Sequence, residues 1–301
     1  MRPRRSVVRI VVATLLATPG LRAQAPVSTN VIRRLDGTTI SVAEADAFAR
    51  KTLEAAHVTG AQLAILDRGR LVWSAAYGLR RRDPQLPMES ATTTWAASIT
   101  KGVFATCVMQ LIERGELNLD TPIAAQLSQP LNAYEPYKET GTEIVNDPRW
   151  ATVTPRMLLA HTSGLRNFAF LESDKKMRLH FTPGTQYWYS GEGINLLQFV
   201  IEQKKHKPLD SLMWEAIFAP LGMTRTNLIY RAEFAPNVAD RYNADEGFIA
   251  QTRRFPARGA GSMTTSVQDL ALFFSALFAD RIIKATVLRI TSSASSEVSR
   301  A

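Results

Sequence analysis

Two apolar runs, Ala61 to Asp67 and Leu71 to Tyr77, are separated by only Arg68-Gly69-Arg70. So short a glycine-containing link between runs of strand length is a hairpin signal. The chain is therefore expected to contain antiparallel sheet. Beyond the hairpin the rhythm changes. Ile99 to Glu113 repeats its apolar residues at helical spacing and ends at Gly115. Ahead of the hairpin, Ser41 to Ala56 reads as an amphipathic helix, with Ser41 as N-cap and Glu44 three residues on. From Leu119 to about Arg254 the pattern is of helical pieces broken by Pro and Gly: Pro155 to Ala160, Gly193 to Glu202, and Leu209 to Phe218 before Pro220-Leu221-Gly222. Gly259 to Phe278 returns to a short extended piece and then a helix capped near Ser266. A hairpin, a helical middle and a return to sheet predict an α/β lobe (about 41–118 and 255–290) with a helical lobe (about 119–254) inserted.

The segment from Met1 to Ala25 stands apart. Arg2, Arg4 and Arg5 precede an apolar stretch around Val11 to Leu16, and Ala23-Gln24-Ala25 supplies small residues suited to cleavage. This reads as a signal peptide over 1–25, with residues 26–301 as the mature domain, exported to a periplasm or secreted. The apolar stretch is short for a membrane span, and no stable span is expected in the mature chain. The leader also carries much of the charge. The chain has 36 basic and 27 acidic residues, a net charge of +9, and five of the arginines lie in the leader, which leaves the remainder nearer +4. Those remaining charges are interspersed, as in Arg80-Arg81-Arg82-Asp83, so no nucleic-acid partner is expected.

Cys107 is the sole cysteine, which excludes an internal disulfide and reads as a buried small hydrophobe. The four histidines fall at no metal-ligand spacing, so no metal or other cofactor is expected.

Chemistry enters at Ser98-Ile99-Thr100-Lys101, where a helix begins. Residues three apart share a helix face, so the hydroxyl and the ammonium are neighbours. A serine hydroxyl needs a base to become a nucleophile, and a desolvated lysine is one such base. The helix N-terminus adds partial positive charge and free N–H groups. The S-x-x-K pattern is weak alone and gains from its company. Leu158-Leu159-Ala160-His161-Thr162-Ser163-Gly164-Leu165 resembles the L-L-x-H-T-S-G-L segment of class C β-lactamase-related hydrolases, within the serine β-lactamase and penicillin-binding protein superfamily. Phe181-Thr182-Pro183-Gly184 with Tyr189-Ser190-Gly191 resembles the F-x-P-G and Y-S-x elements. Gly259 to Ser266, with Asp269-Leu270, resembles the G-G-x-x-S-T-x-x-D-L stretch. The anchors occur in the family's order across roughly residues 41 to 280.

The resemblance implies a β-lactamase/transpeptidase-like fold, an antiparallel sheet flanked by helices with the helical lobe inserted. It implies Ser98 as the residue acylated by an ester or amide substrate, small-molecule or peptide. Lys101 and Tyr189 become its proton-transfer partners, either one the acylation base, and the Ser98 N–H an oxyanion donor. It makes His161 structural rather than part of a triad. Two departures matter. Gly191 stands where β-lactamases and penicillin-binding proteins usually carry an Asn whose amide holds the substrate, and this disfavours a true β-lactamase or D-Ala-D-Ala peptidase. And no Lys- or His-x-Gly element follows Gly261, so the strand that would supply a second oxyanion donor, with its neighbours, is expected to be missing, at a cost of ~10²–10³ in turnover. Arg281 to Arg289 is compatible with a helix, and Thr291 to Ala301 forms a Ser-rich tail. The leading expectation is an exported serine hydrolase, weakened by the missing element; a non-catalytic relative binding peptidoglycan-like or acyl ligands is the alternative. Loops such as Ala133 to Val145 and Arg241 to Phe255 are expected to wall the cleft.

Overall fold

A computed structural model describes residues 30–253 and 256–284; the leader and the Ser-rich tail lie outside the described residues. The hairpin forms as antiparallel strands β3 (Gly60–Asp67) and β4 (Arg70–Arg81). Its turn is tighter than the three-residue link read from sequence, because Asp67 pairs directly with Arg70. Arg68 and Gly69 both take positive φ, 49° and 73°, the backbone that matches strand twist in a two-residue turn. Strand β5 (Leu86–Pro87) pairs with the far edge of β4. Before this sheet, β1 (Val31–Arg33) and β2 (Thr39–Ser41) form a small hairpin that the sequence pattern does not announce. Helix α1 (Val42–Ala55) begins at Ser41 with the full capping box, the Ser41 side chain taking the Glu44 N–H and the Glu44 carboxylate taking the Ser41 N–H.

Strand β6 (Thr94–Trp95) leads into α2 (Ile99–Glu113). Val103, Phe104, Cys107, Val108 and Leu111 of α2 are all buried, so this helix runs through the core instead of lying on it. Burial also drives the Cys107 thiol up to about 12, the inert state of a packed cysteine. The middle of the chain carries short helical pieces: α3 (Thr142–Asn146), α4 (Pro155–Leu159), α5 (Gly191–Lys205), α6 (Leu209–Met213), a π-helical turn at Trp214–Phe218, and α7 (Ala219–Leu221). Helix α5 is the second core helix, burying Ile194, Leu196, Leu197, Val200 and Ile201. One part of the middle is not helical. Strands β7 (Asp240–Tyr242) and β8 (Phe248–Gln251) make a further antiparallel hairpin.

The chain then returns to the start of α2. Strand β9 (Thr264–Thr265) pairs with β6, and α8 (Val267–Phe278), capped by Ser266, packs on β3 and β4. Residues 281–284 are irregular, so the helix expected from Arg281 does not start there; the rest of that segment lies outside the described residues. No helix among the described residues is long and apolar enough to cross a membrane.

Candidate active site

Ser98 is the N-cap of α2, yet its side chain makes no capping bond to the helix. The residue before it, Ala97, sits at φ 44°, a left-handed backbone that costs a non-glycine residue roughly 1–3 kcal/mol and persists only when its surroundings hold it. They do. Thr100 Oγ1 donates to the Ala97 carbonyl at 2.5 Å and accepts the Met263 N–H at 3.1 Å, while the Ala96 N–H reaches the Met263 carbonyl at 2.9 Å. The β6–β9 pair thus fixes the turn that presents Ser98 to a cleft of about 700 Å³.

Lys101 lies one turn along α2 and is buried. Its Nζ donates to Ser98 Oγ at 3.2 Å and to the Ala260 carbonyl at 2.5 Å, and stands 4.7 Å from the centre of the Tyr189 ring. The Tyr189 hydroxyl donates to Ser98 Oγ at 2.8 Å. The structure therefore brings Ser98, Lys101 and Tyr189 to one point. Burial raises the Tyr189 pKa, but hydrogen bonding with Lys101 and Ser98 and the Lys101 charge outweigh it, so the phenol lies below its ordinary value of 10.0.

Tyr189 is held by the histidine of the H-T-S-G segment. The Trp188 N–H donates to the His161 carbonyl at 2.8 Å, the Ser190 N–H donates to His161 Nδ1 at 3.2 Å, and the two rings pack 4.6 Å apart. Burial, reinforced by the Lys101 charge, lowers the His161 pKa below 6.5. The imidazole is thus neutral at pH 7 and accepts at Nδ1, the structural role expected of it.

Gly191 opens α5, and its space is taken. A Cβ there would meet the Phe168 ring at 2.7 Å and Asn167 Oδ1 at 3.0 Å. Three bonds latch this loop to α5: the Gly191 N–H to Asn167 Oδ1 at 2.8 Å, the Glu192 N–H to the Asn167 carbonyl at 2.6 Å, and the Ala169 N–H to Glu192 Oε2 at 2.9 Å. Glu192 is thus more than a first-turn acid. Burial raises its pKa, against the pull of the Ala169 N–H and the Arg258 charge.

Sequence pattern does not single out Asn167, Phe168 or Asn195 as cleft residues, and nothing in their spacing could, since tertiary contacts alone bring them to Ser98. The Ala133 to Val145 loop does wall the cleft, through Pro136, Tyr137 and Thr140. Described residues of the Arg241 to Phe255 loop do not line it directly. Arg241 instead stacks 4.8 Å from the ring centre of Trp95, which does. No cluster of metal-ligating side chains occurs among the described residues.

This geometry has relatives. The family model named Beta-lactamase matches residues 45–299. The chain belongs to that family. It is 28% identical to Esterase EstB of Burkholderia gladioli over 207 residues, 60% of this chain and 50% of the esterase. Among solved structures, D-amino acid amidase of Ochrobactrum anthropi SV3 superposes with a TM-score of 0.62 at 26% identity, over 79% of this chain and 70% of that one. The octameric penicillin-binding protein homologue of Pyrococcus abyssi superposes with a TM-score of 0.67 at 23% identity, over 83% of this chain and 59% of that one. The β-lactamase/transpeptidase-like fold is thereby established, in a family of serine hydrolases. The chain spans about half the length of the curated relatives it matches.

Proposed function

We propose that this protein is an exported serine hydrolase that cleaves an ester or amide through an acyl-enzyme on Ser98. The observation that carries the proposal is the convergence on Ser98 Oγ of Tyr189 at 2.8 Å and Lys101 at 3.2 Å, beside an open cleft. Export rests on the basic and apolar character of the segment from Met1 to Ala25.

In the proposed reaction, Tyr189 in its phenolate form takes the Ser98 proton as Oγ attacks the substrate carbonyl carbon. The buried Lys101 ammonium stabilises that phenolate. The Ser98 N–H has no partner among the described residues and stands at the N-terminus of α2, where backbone donors and the helix dipole favour a developing oxyanion. Collapse of the tetrahedral intermediate breaks the bond to the leaving group, which takes the proton from Tyr189. Water then gives a proton to the same phenolate and attacks the acyl carbon, and the acyl carbon–Oγ bond breaks as Ser98 Oγ takes that proton from Tyr189 and the acid is released.

The test is the intact mass of the purified chain after exposure to a fluorophosphonate and, separately, to a penicillin, with Ser98→Ala as control. A single adduct that disappears in the variant supports the acyl-enzyme reading, and the reacting probe separates esterase-like from penicillin-binding chemistry. A folded sample that takes up neither probe overturns the reading.

A further inference from the structure

Among the described residues, one lysine of the 166–180 loop is left without an acid. Asp174 pairs with Arg178 at 2.6 Å and Glu143 with Lys176 at 3.2 Å. The buried Glu172 carboxylate is shared by His180 at 2.6 Å, Arg166 at 3.4 Å and Arg178 at 3.7 Å. That leaves Lys175. Its backbone is fixed, at φ 60° with its N–H donating to the Glu172 carbonyl at 3.1 Å. Its ammonium has no ion pair or hydrogen bond among the described residues, and the residue lines the cleft. Arg258 lines the same cleft from the segment before Gly259. Ser262 Oγ holds its backbone N–H at 2.8 Å, while its guanidinium has no ion pair or hydrogen bond among the described residues.

Neither cation takes part in the proton transfers at Ser98, where the Tyr189 phenolate balances Lys101. Among the described residues, Glu192 is the one carboxylate that lines the cleft, and it accepts the Ala169 N–H. Lys175 and Arg258 therefore exceed it by one positive charge even when Glu192 is ionised. A cleft with surplus charge of one sign draws in ligands of the other, because its walls focus the field. We infer that the substrate is an acid, whose acyl chain ends in a carboxylate that Lys175 and Arg258 select. The charge belongs on the acyl half because that half alone stays in the cleft through both covalent steps. The inference rests on the acyl-enzyme reading. Both cations are exposed, so the selectivity is moderate and is screened by salt.

The p-nitrophenyl monoesters of hexanedioic and octanedioic acid test it, each against the same chain ending in a carboxamide. The paired ends have equal size and differ in charge. A further pair moves the difference to the leaving group: hexanoyl esters of 4-hydroxyphenylacetate and of 4-hydroxyphenylacetamide. The readout is the ratio of kcat/KM within each pair, corrected for spontaneous hydrolysis. It is taken in wild type, in Lys175→Gln and Arg258→Gln singly and together, and in Lys51→Gln, which removes an exposed cation of α1 that does not line the cleft. The expected result is a wild-type preference of about fivefold or more for the carboxylate in one acyl pair at low ionic strength. It should shrink toward unity in molar salt, fall in each single variant, vanish in the double variant and persist in Lys51→Gln. A wild type that takes up fluorophosphonate but shows no preference in either acyl pair overturns the inference without recourse to any variant. So does a preference confined to the leaving-group pair, one that survives both cleft substitutions, or one that falls as far in Lys51→Gln. A folded wild type that is neither labelled nor hydrolytic defeats the acyl-enzyme reading, and the inference with it.

Discussion

Lys101 Nζ donates to the Ala260 carbonyl oxygen at 2.5 Å, across a sequence separation of 159 residues. Through that bond the helix bearing Ser98 is tied to the segment that leads into β9. The Ala260 N–H is in turn held by Asn195 Oδ1 at 3.3 Å, so α5 braces the peptide that positions the lysine. Replacing Lys101 with Met keeps the side-chain volume but removes both the cation and the donor. Fluorophosphonate labelling of Lys101→Met is expected to fall ~10²–10³-fold, the range for one lost preorganised electrostatic stabiliser, as measured by the time course of adduct mass.

The depressed phenol pKa of Tyr189 has a sign that kinetics can read. Its phenolate is populated at lower pH than that of a free tyrosine, so labelling should rise with pH through a limb centred below 10.0. In Tyr189→Phe that limb should vanish and the rate fall at every pH. A pH limb that persists unchanged in Tyr189→Phe would exclude Tyr189 as the base.

His161 makes an acid-side prediction. Its folded pKa lies below the unfolded value near 6.5, so the unfolded chain binds the proton more readily. The stability it contributes is full above that value and is lost as pH falls through the folded pKa. Protonation also removes the Nδ1 acceptor of the Ser190 N–H. Urea unfolding midpoints should drop between pH 7 and pH 5, and the drop should be smaller in His161→Gln. Equal slopes in both proteins would rule out the histidine as the source.

Gly191→Asn restores the residue type usual at this position in penicillin-recognising relatives, and it is expected to do harm. The new Cβ would lie 2.7 Å from the Phe168 ring, and such overpacking costs about 1–3 kcal/mol. We expect a lower melting temperature and no gain of penicillin hydrolysis. A stable variant that turns over penicillin would show that the 167–171 loop gives way.

Asp269 is buried and accepts the Arg225 N–H at 2.8 Å and Thr226 Oγ1 at 2.7 Å. Burial raises its pKa, partly offset by these donors and the Arg225 charge. Asp269→Ala strands the Arg225 N–H, while Thr226 Oγ1 keeps its bond with Thr265 Oγ1 at 2.6 Å, and should destabilise by about 1–3 kcal/mol, seen as a lower denaturant midpoint. A shift no larger than that of an ordinary surface substitution, about 0.5 kcal/mol, would show that water replaces the carboxylate.

The local elements were legible without coordinates. Ser41 and Glu44 announce the start of α1, Arg68-Gly69 the hairpin, and Ser266 the cap of α8. Ser98 and Lys101 share a face because helical spacing alone makes residues three apart neighbours. In each case the determinant and its consequence lie close together in the chain, so local stereochemistry carries the information. Tyr189 and Ala260 reach that pair from far along the chain, and only the tyrosine was anticipated, through resemblance to relatives. Nothing in the sequence marks Asn167. Its place beside Gly191 depends on a missing Cβ, two backbone bonds and the Phe168 ring, none of which leaves a period or a motif. Local order follows from short-range sterics and capping; the cleft exists only once burial of α2 and α5 in one core brings distant loops within hydrogen-bonding distance of Ser98.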